Sequence, residues 1–278
     1  MVEINAELVK QLRDETNVSM MECKKALVEA GGDLAQATTL LRKRGVAVAA
    51  KKASRAANQG LIVSGTAQGG KTLSMIELNC ETDFVAKNEG FKKLAEQLAV
   101  KACETDASLA DQVKDQLVAK IAEIGENIVC NRNVRYVLQG KGRLGSYIHL
   151  GGKVGVLIDV GCENGATEGS LVFKDLVKDL TLQVAASSPR YRVSTDVPAD
   201  VLAAEREIYA SQVKDKPPQI VGKIVDGKLK KFYSDVCLMN QVFVKEAKLS
   251  ISALLAAKGK ELGDKLTIRR FVRYQIGK

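Results

Sequence analysis

The chain has 278 residues, of which 46% are hydrophobic and 27% charged, enough to bury a core and to divide into two or more folded units. No run approaches the roughly 18 apolar residues of a membrane span, and Met1-Val2-Glu3-Ile4-Asn5 lacks the basic and apolar regions of a signal peptide, so the expected compartment is the cytoplasm, with no membrane partner. Six cysteines form no C-x-x-C pair and the single histidine, His149, allows no Cys/His zinc cluster; the net charge of +9 favours an acidic partner without choosing its kind.

In chain order, residues 1–45 read as three short helices. Leu8, Val9 and Leu12 form the apolar stripe of the first. Ser19-Met20-Met21-Glu22 fits a capping box, followed at helical spacing by Cys23, Ala26, Leu27 and Ala30, and Gly31-Gly32 stops that helix. Asp33 caps the third, whose face is Leu34, Ala37, Leu40 and Leu41; Lys43, Arg44 and Gly45 predict its end. Residues 46–59 are alanine-rich and basic, with only two valines as larger apolar residues, and read as a linker, helical or not, with little to give a core.

Strand-like runs follow, Leu61-Ile62-Val63 and Leu73 to Leu78, with Gly69-Gly70 as a hairpin turn. Phe91, Leu94, Leu98 and Ala102 mark one helix, and Leu109, Val113, Leu117, Ile121 and Ile124 another. The order then recurs, with strands near Val129 to Leu138 and Ser146 to Val160 and a helix carrying Phe173, Leu176 and Leu180. Lys71 and Lys153, Ile76 and Ile158, Cys80 and Cys162, Glu81 and Glu163, and Phe91 and Phe173 all pair at a constant spacing of 82 (71 to 153, 91 to 173), which predicts an internal duplication. Between strand and helix the copies diverge: Glu81-Thr82-Asp83-Phe84-Val85-Ala86 in the first, Glu163-Asn164-Gly165-Ala166-Thr167-Glu168 in the second. The fold therefore does not need an aromatic ring at Phe84.

Beyond Pro198, segments 199–213 and 219–233 flank Lys216-Pro217-Pro218 and predict an antiparallel helical hairpin. Val242-Phe243-Val244, a short helix near Ser252 to Lys258, and a strand from Leu266 to Tyr274 complete the chain. The expected organisation is α+β: a three-helix unit (1–45), a linker (46–59), two core subdomains (60–140 and 141–244, the second carrying the hairpin at about 199–233) and a C-terminal module (245–278).

Nothing in the sequence assembles a catalytic constellation, so no enzyme activity is expected. Gly65-Thr66-Ala67-Gln68-Gly69-Gly70-Lys71-Thr72 matches the phosphate-loop pattern letter for letter, but strand-like Leu73 to Leu78 follows where a helix must start. At Thr82-Asp83-Phe84 two readings stand: a helix cap with Phe84 packed beneath it, or an exposed aromatic anchor for a partner's pocket.

Two motifs give the chain its resemblance. Leu12-Arg13-Asp14-Glu15-Thr16-Asn17-Val18-Ser19-Met20-Met21-Glu22-Cys23-Lys24-Lys25-Ala26-Leu27 is similar to the N-terminal signature of the elongation factor Ts family, and Glu77-Leu78-Asn79-Cys80-Glu81-Thr82-Asp83-Phe84-Val85-Ala86-Lys87 to its central one. Ile124-Gly125-Glu126-Asn127, Tyr147-Ile148-His149 and Lys228-Leu229-Lys230-Lys231-Phe232 follow in the family's order. The resemblance implies a ubiquitin-associated-like three-helix domain, a duplicated α+β core, a projecting helical hairpin and a short C-terminal module. It implies elongation factor Tu as partner, with GDP release promoted by insertion of the Thr82-Asp83-Phe84-Val85 loop and Phe84 as the wedge. It implies further contacts at Leu12, Arg13, Met20, Ile124, Gly125 and His149. The chain itself would hold no cofactor or metal, since magnesium and GDP belong to the partner. Whether the hairpin pairs with a second copy or contacts Tu stays open. Val242 departs from the proline expected before Phe243, and the charge of +9 is higher than the resemblance implies, which keeps a basic nucleic-acid-binding protein as the rival reading. Against it, only 4% of residues are aromatic and none is tryptophan, so a base-stacking platform has little material. An NTP-binding enzyme is a third reading, on the Gly65 to Thr72 match alone.

Overall fold

The computed structural model describes residues 4–213 and 217–278 and has an α+β fold. Helices α1 (Ala6–Thr16), α2 (Met20–Glu29) and α3 (Leu34–Lys52) close on Val9, Leu12, Cys23, Ala26, Leu27, Ala37 and Leu41. Each is capped by a side-chain oxygen: Asn5 accepts from Leu8 N–H, Ser19 from Glu22 N–H and Asp33 from Gln36 N–H. Only the serine half of the expected capping box forms, because the Glu22 carboxylate is taken by Lys25 and Arg44.

The third helix does not stop at Gly45: residues 46–52 of the expected linker are helical and, against expectation, reach a core. The α3 helix continues to Lys52, with Gly45 and Ala49 buried and Ala49 part of the first subdomain's core. Gly45 is there because α3 crosses α7 (Lys114–Ile124) closely: a Cβ on Gly45 would lie 3.2 Å from the Ala122 Cβ. Arg42 and Asp115 pair across the same crossing at 3.1 Å.

Strands β1 (Gln59–Ala67), β2 (Thr72–Cys80) and β3 (Ile128–Val137) form one antiparallel sheet in the order β1-β2-β3. Strands β4 (Gly142–His149), β5 (Val154–Gly161) and β8 (Thr267–Gln275) form a second, ordered β4-β5-β8. Two assignments change as a result. The run Val129 to Leu138 belongs to the first copy, not to the recurrence, and Ser146 to Val160 is two strands joined by a turn at Leu150-Gly151-Gly152. The C-terminal segment is not a separate module either, because β8 is the third strand of the second sheet.

The first copy continues with α4 (Asp83–Lys87), α5 (Glu89–Lys101), α6 (Leu109–Gln112) and α7. The second has α8 (Gly165–Gly169) and α9 (Leu171–Ser187), each 82 residues after its counterpart (83 to 165, 89 to 171). Between α9 and β8 come α10 (Ala199–Ser211) and α11 (Pro218–Val236), then β6 (Val242–Phe243), β7 (Glu246–Ser250) and α12 (Ile251–Leu262). Of the expected hairpin turn, Lys216 lies outside the described residues. Val242, in place of proline, opens the short β6–β7 ladder opposite Ser250.

Every residue of β2 and of β5 is buried, as expected of central strands covered on both faces. On the inside, Ile62, Leu73, Met75 and Tyr136 of one sheet meet Leu144, Leu157 and Tyr274 of the other. On the outside, Phe91, Leu94 and Leu98 of α5 cover the first sheet and Phe173, Leu176 and Leu180 of α9 the second. Two buried carboxylates bind the sheets reciprocally. Glu77 pairs with Arg132 at 2.7 Å, and that guanidinium stacks on Tyr274 of the opposite sheet, 4.2 Å from its ring centre. Asp159 pairs with Arg269 and Arg270, and Arg270 stacks on Tyr136 at 4.1 Å.

Candidate functional site: the Thr82–Val85 loop

The loop leaves β2 at its C-terminal end and turns at once into the one-turn helix α4. Thr82 caps that helix, its Oγ1 accepting from Val85 N–H at 3.4 Å. The same hydroxyl donates to Glu126 Oε1 at 2.6 Å, while the backbone N–H groups of Glu81 and Thr82 both donate to Glu126 Oε2, at 3.1 and 3.0 Å. In return, Glu81 Oε1 accepts from Asn127 N–H at 2.7 Å and its second oxygen faces Arg55 at 3.4 Å. The Asn127 amide and then the Arg55 charge hold the Glu81 carboxyl below the usual range. Asp83 is likewise lowered, first by the hydrogen bond from Lys87 at 2.7 Å.

Beneath this frame Ala86 is buried and Val85 packs against the first core, while Cys80 donates from Sγ to Thr82 O at 3.1 Å. Burial, with the Glu126 charge adding, pushes the Cys80 thiol up to about 11, so it is a neutral packing group and not a nucleophile. Phe84 alone points out, at 80% exposed. The two readings of the loop are thus both partly right: threonine caps the helix, and the phenylalanine is not packed under it.

Ile124 and Gly125 stand beside the loop, since Gly125 ends α7 with φ +84° and Glu126 follows it directly onto Thr82. His149 lies at the end of β4 in the other sheet, exposed, with its Nδ1 2.8 Å from the Tyr147 hydroxyl. Its turn comes near the loop through Lys153, which donates to Gln59 Oε1 at 3.0 Å and whose charge reaches Asp83. In the same turn Leu150 is 69% exposed. Arg13 and Met20 are exposed on the three-helix unit. Leu12 is not a surface contact: it is fully buried among α1–α3, where its family-like position is explained by packing.

Glu126, read from the sequence only within the motif Ile124-Gly125-Glu126-Asn127, is the residue that frames the loop. The signal was present at a second spacing, 138 (126 to 264, 132 to 270), which relates Arg132, Val134, Arg135 and Tyr136 to Arg270, Val272, Arg273 and Tyr274. At that spacing Asp264 does for the second loop what Glu126 does for the first, accepting from Glu163 N–H, Asn164 N–H and Thr167 Oγ1 at 3.0, 3.0 and 2.5 Å.

The phosphate-loop match folds as a hairpin: Gly65 lies within β1 and Thr72 opens β2, so no helix N-terminus faces it. Among the described residues no group of three or more His, Cys, Asp or Glu is placed to hold a metal, and no helix is long and apolar enough to cross a membrane.

The family model described as Elongation factor TS matches residues 81–278. Over 99% of its length the chain is 40% identical to "Elongation factor Ts" of Nitratidesulfovibrio vulgaris strain Hildenborough, 96% of which is covered. Proteins of the same description from a Nitratiruptor species and from Clostridium acetobutylicum are each 41% identical, again over 99% of this chain, with 93% and 92% of their own lengths covered.

Proposed function

We propose that this chain, which belongs to the elongation factor Ts family, promotes release of GDP from elongation factor Tu by inserting Phe84. A role in translation elongation follows from the family; the exchange mechanism is our reading of the loop. The observation that carries it is the contrast between Phe84, 80% exposed, and the tightly bonded frame of Thr82, Glu81 and Glu126 on which it stands. A rigid base loses little entropy on docking, and an aromatic tip burying itself in a partner contributes about 1.5–3 kcal/mol.

That energy acts through linkage. A protein that binds empty Tu more tightly than Tu·GDP weakens GDP by the same factor, and GDP weakens it in return. No bond is made or broken, so neither a nucleophile nor a general base is required of this chain. Magnesium and GDP are the partner's, and Ile124, Gly125 and His149 border the same contact.

The test is release of a fluorescent GDP analogue from purified Tu with substoichiometric amounts of the chain, beside Phe84→Ala. Acceleration by the parent and loss of most of it in a variant of unchanged thermal stability supports the wedge. Full activity in the variant overturns it, and no acceleration by either moves the reading to the basic nucleic-acid-binding alternative.

A further inference from the structure

At the other end of β2 from the loop, the β1–β2 turn faces α9 across a cleft of about 590 Å³. Four cations line it, Lys71 from the turn, Arg143 from β4, and Lys174 and Lys178 one turn apart on α9, with Glu168 and Asp175 the only acids. Among the described residues none of the four forms an ion pair, whereas Glu168 is engaged, accepting from Gly142 N–H at 3.1 Å. Positive charges gathered from three elements outnumber the two carboxylates and repel one another, and that repulsion is relieved by a bound anion. No aromatic ring lines the cleft, so a base would find nothing to stack on. What the site can recognise is phosphate: Arg143 offers a planar fork and the three lysines offer point charges.

We infer that this cleft binds an oligophosphate, two or three linked phosphate groups held by Lys71, Arg143, Lys174 and Lys178. Free polyphosphate and the backbone of an RNA strand present the same chemistry. The site is separate from the Phe84 loop, since the nine residues of β2 set Lys71 and Thr82 about 30 Å apart. It also gives a use to Lys71 of the phosphate-loop match, by a route unrelated to that motif, because the charge gathers in the folded cleft and not around a helix N-terminus.

The test is calorimetric titration of the full chain with tripolyphosphate, and separately with a 12-nucleotide RNA, at low salt. Lys174→Gln with Lys178→Gln is compared with Lys230→Gln plus Lys231→Gln, which removes the same charge from exposed positions on α11. The cleft pair is expected to weaken binding about tenfold and the α11 pair less than twofold, with stimulated GDP release unchanged in the cleft pair. Tighter binding of RNA than of tripolyphosphate, lost in the cleft pair, identifies the backbone as the source; the reverse order identifies the free anion. Equal weakening by the two pairs, or no saturable binding of either probe, overturns the inference.

Discussion

Glu126 and Asp264, 138 residues apart in sequence, occupy the same place in the two halves of the core: each carboxylate accepts two consecutive backbone N–H groups and a threonine hydroxyl from the loop that follows the central strand. One of those loops ends in Phe84 and the other in Ala166.

The pair therefore offers an internal control. Glu126→Gln replaces an acceptor by an amide that faces N–H groups, and is expected to loosen the loop, reduce stability by about 2 kcal/mol and slow stimulated GDP release about tenfold. Asp264→Asn is expected to reduce stability comparably while leaving exchange within about twofold. Urea titration beside the exchange assay checks both; equal effects on exchange would mean that the loop's frame does not act through Phe84.

Acid sensitivity has a worked sign. Asp264 is held below the usual carboxylate range, first by the Thr167 hydroxyl, and Glu81 and Asp83 are lowered by their own partners. A carboxylate lowered in the folded state contributes stability that is present above the unfolded value, near 4, and is lost as the pH falls through the folded one. Melting temperature should therefore drop on acidification below about pH 4, and more shallowly in Asp264→Asn than in the parent.

The reciprocal arginines are not equivalent. Among the described residues Arg132 is the only cation paired with buried Glu77, whereas Asp159 has both Arg269 and Arg270. Arg132→Leu should cost about 3 kcal/mol and Arg270→Leu about half as much, because the second variant leaves its carboxylate a partner. Denaturant midpoints at constant m value measure the difference.

Gly65 has a packing reason. A Cβ there would lie 2.2 Å from the carbonyl oxygen of Ala99, the atom that also accepts from the Ser74 hydroxyl. Gly65→Ala should push α5 away from β1 and cost about 3 kcal/mol, whereas Gly69→Ala, at φ +64° with open space around it, should cost less. Thermal unfolding of the two separates crowding from backbone strain.

Periodicity made most elements legible, and the spacing of 82 found the repeated strand–loop–helix unit, because those segments recur without a gap. The third strand escaped that search. In the second copy α10, α11 and the β6–β7 ladder intervene before β8, so its counterpart stands at 138; the boundary at 140 keeps β3 in the first half, but the reading of the recurrence counts it with the second. Gly45 was misread because a glycine that ends a helix and a glycine that lets another helix approach carry the same letter; only Ala122 across the crossing distinguishes them. Leu12 sits in a motif whose conspicuous pattern serves the core. The exposure of Phe84 was half legible, since Ala166 in the other copy showed that no ring was needed there for folding.

A doubled body with a single aromatic tip has one valency. The second loop keeps its carboxylate clamp and its short helix but carries Ala166 where the first carries Phe84, so the chain presents one such aromatic tip. Under the proposed wedge, duplication enlarges the platform without multiplying the docking point.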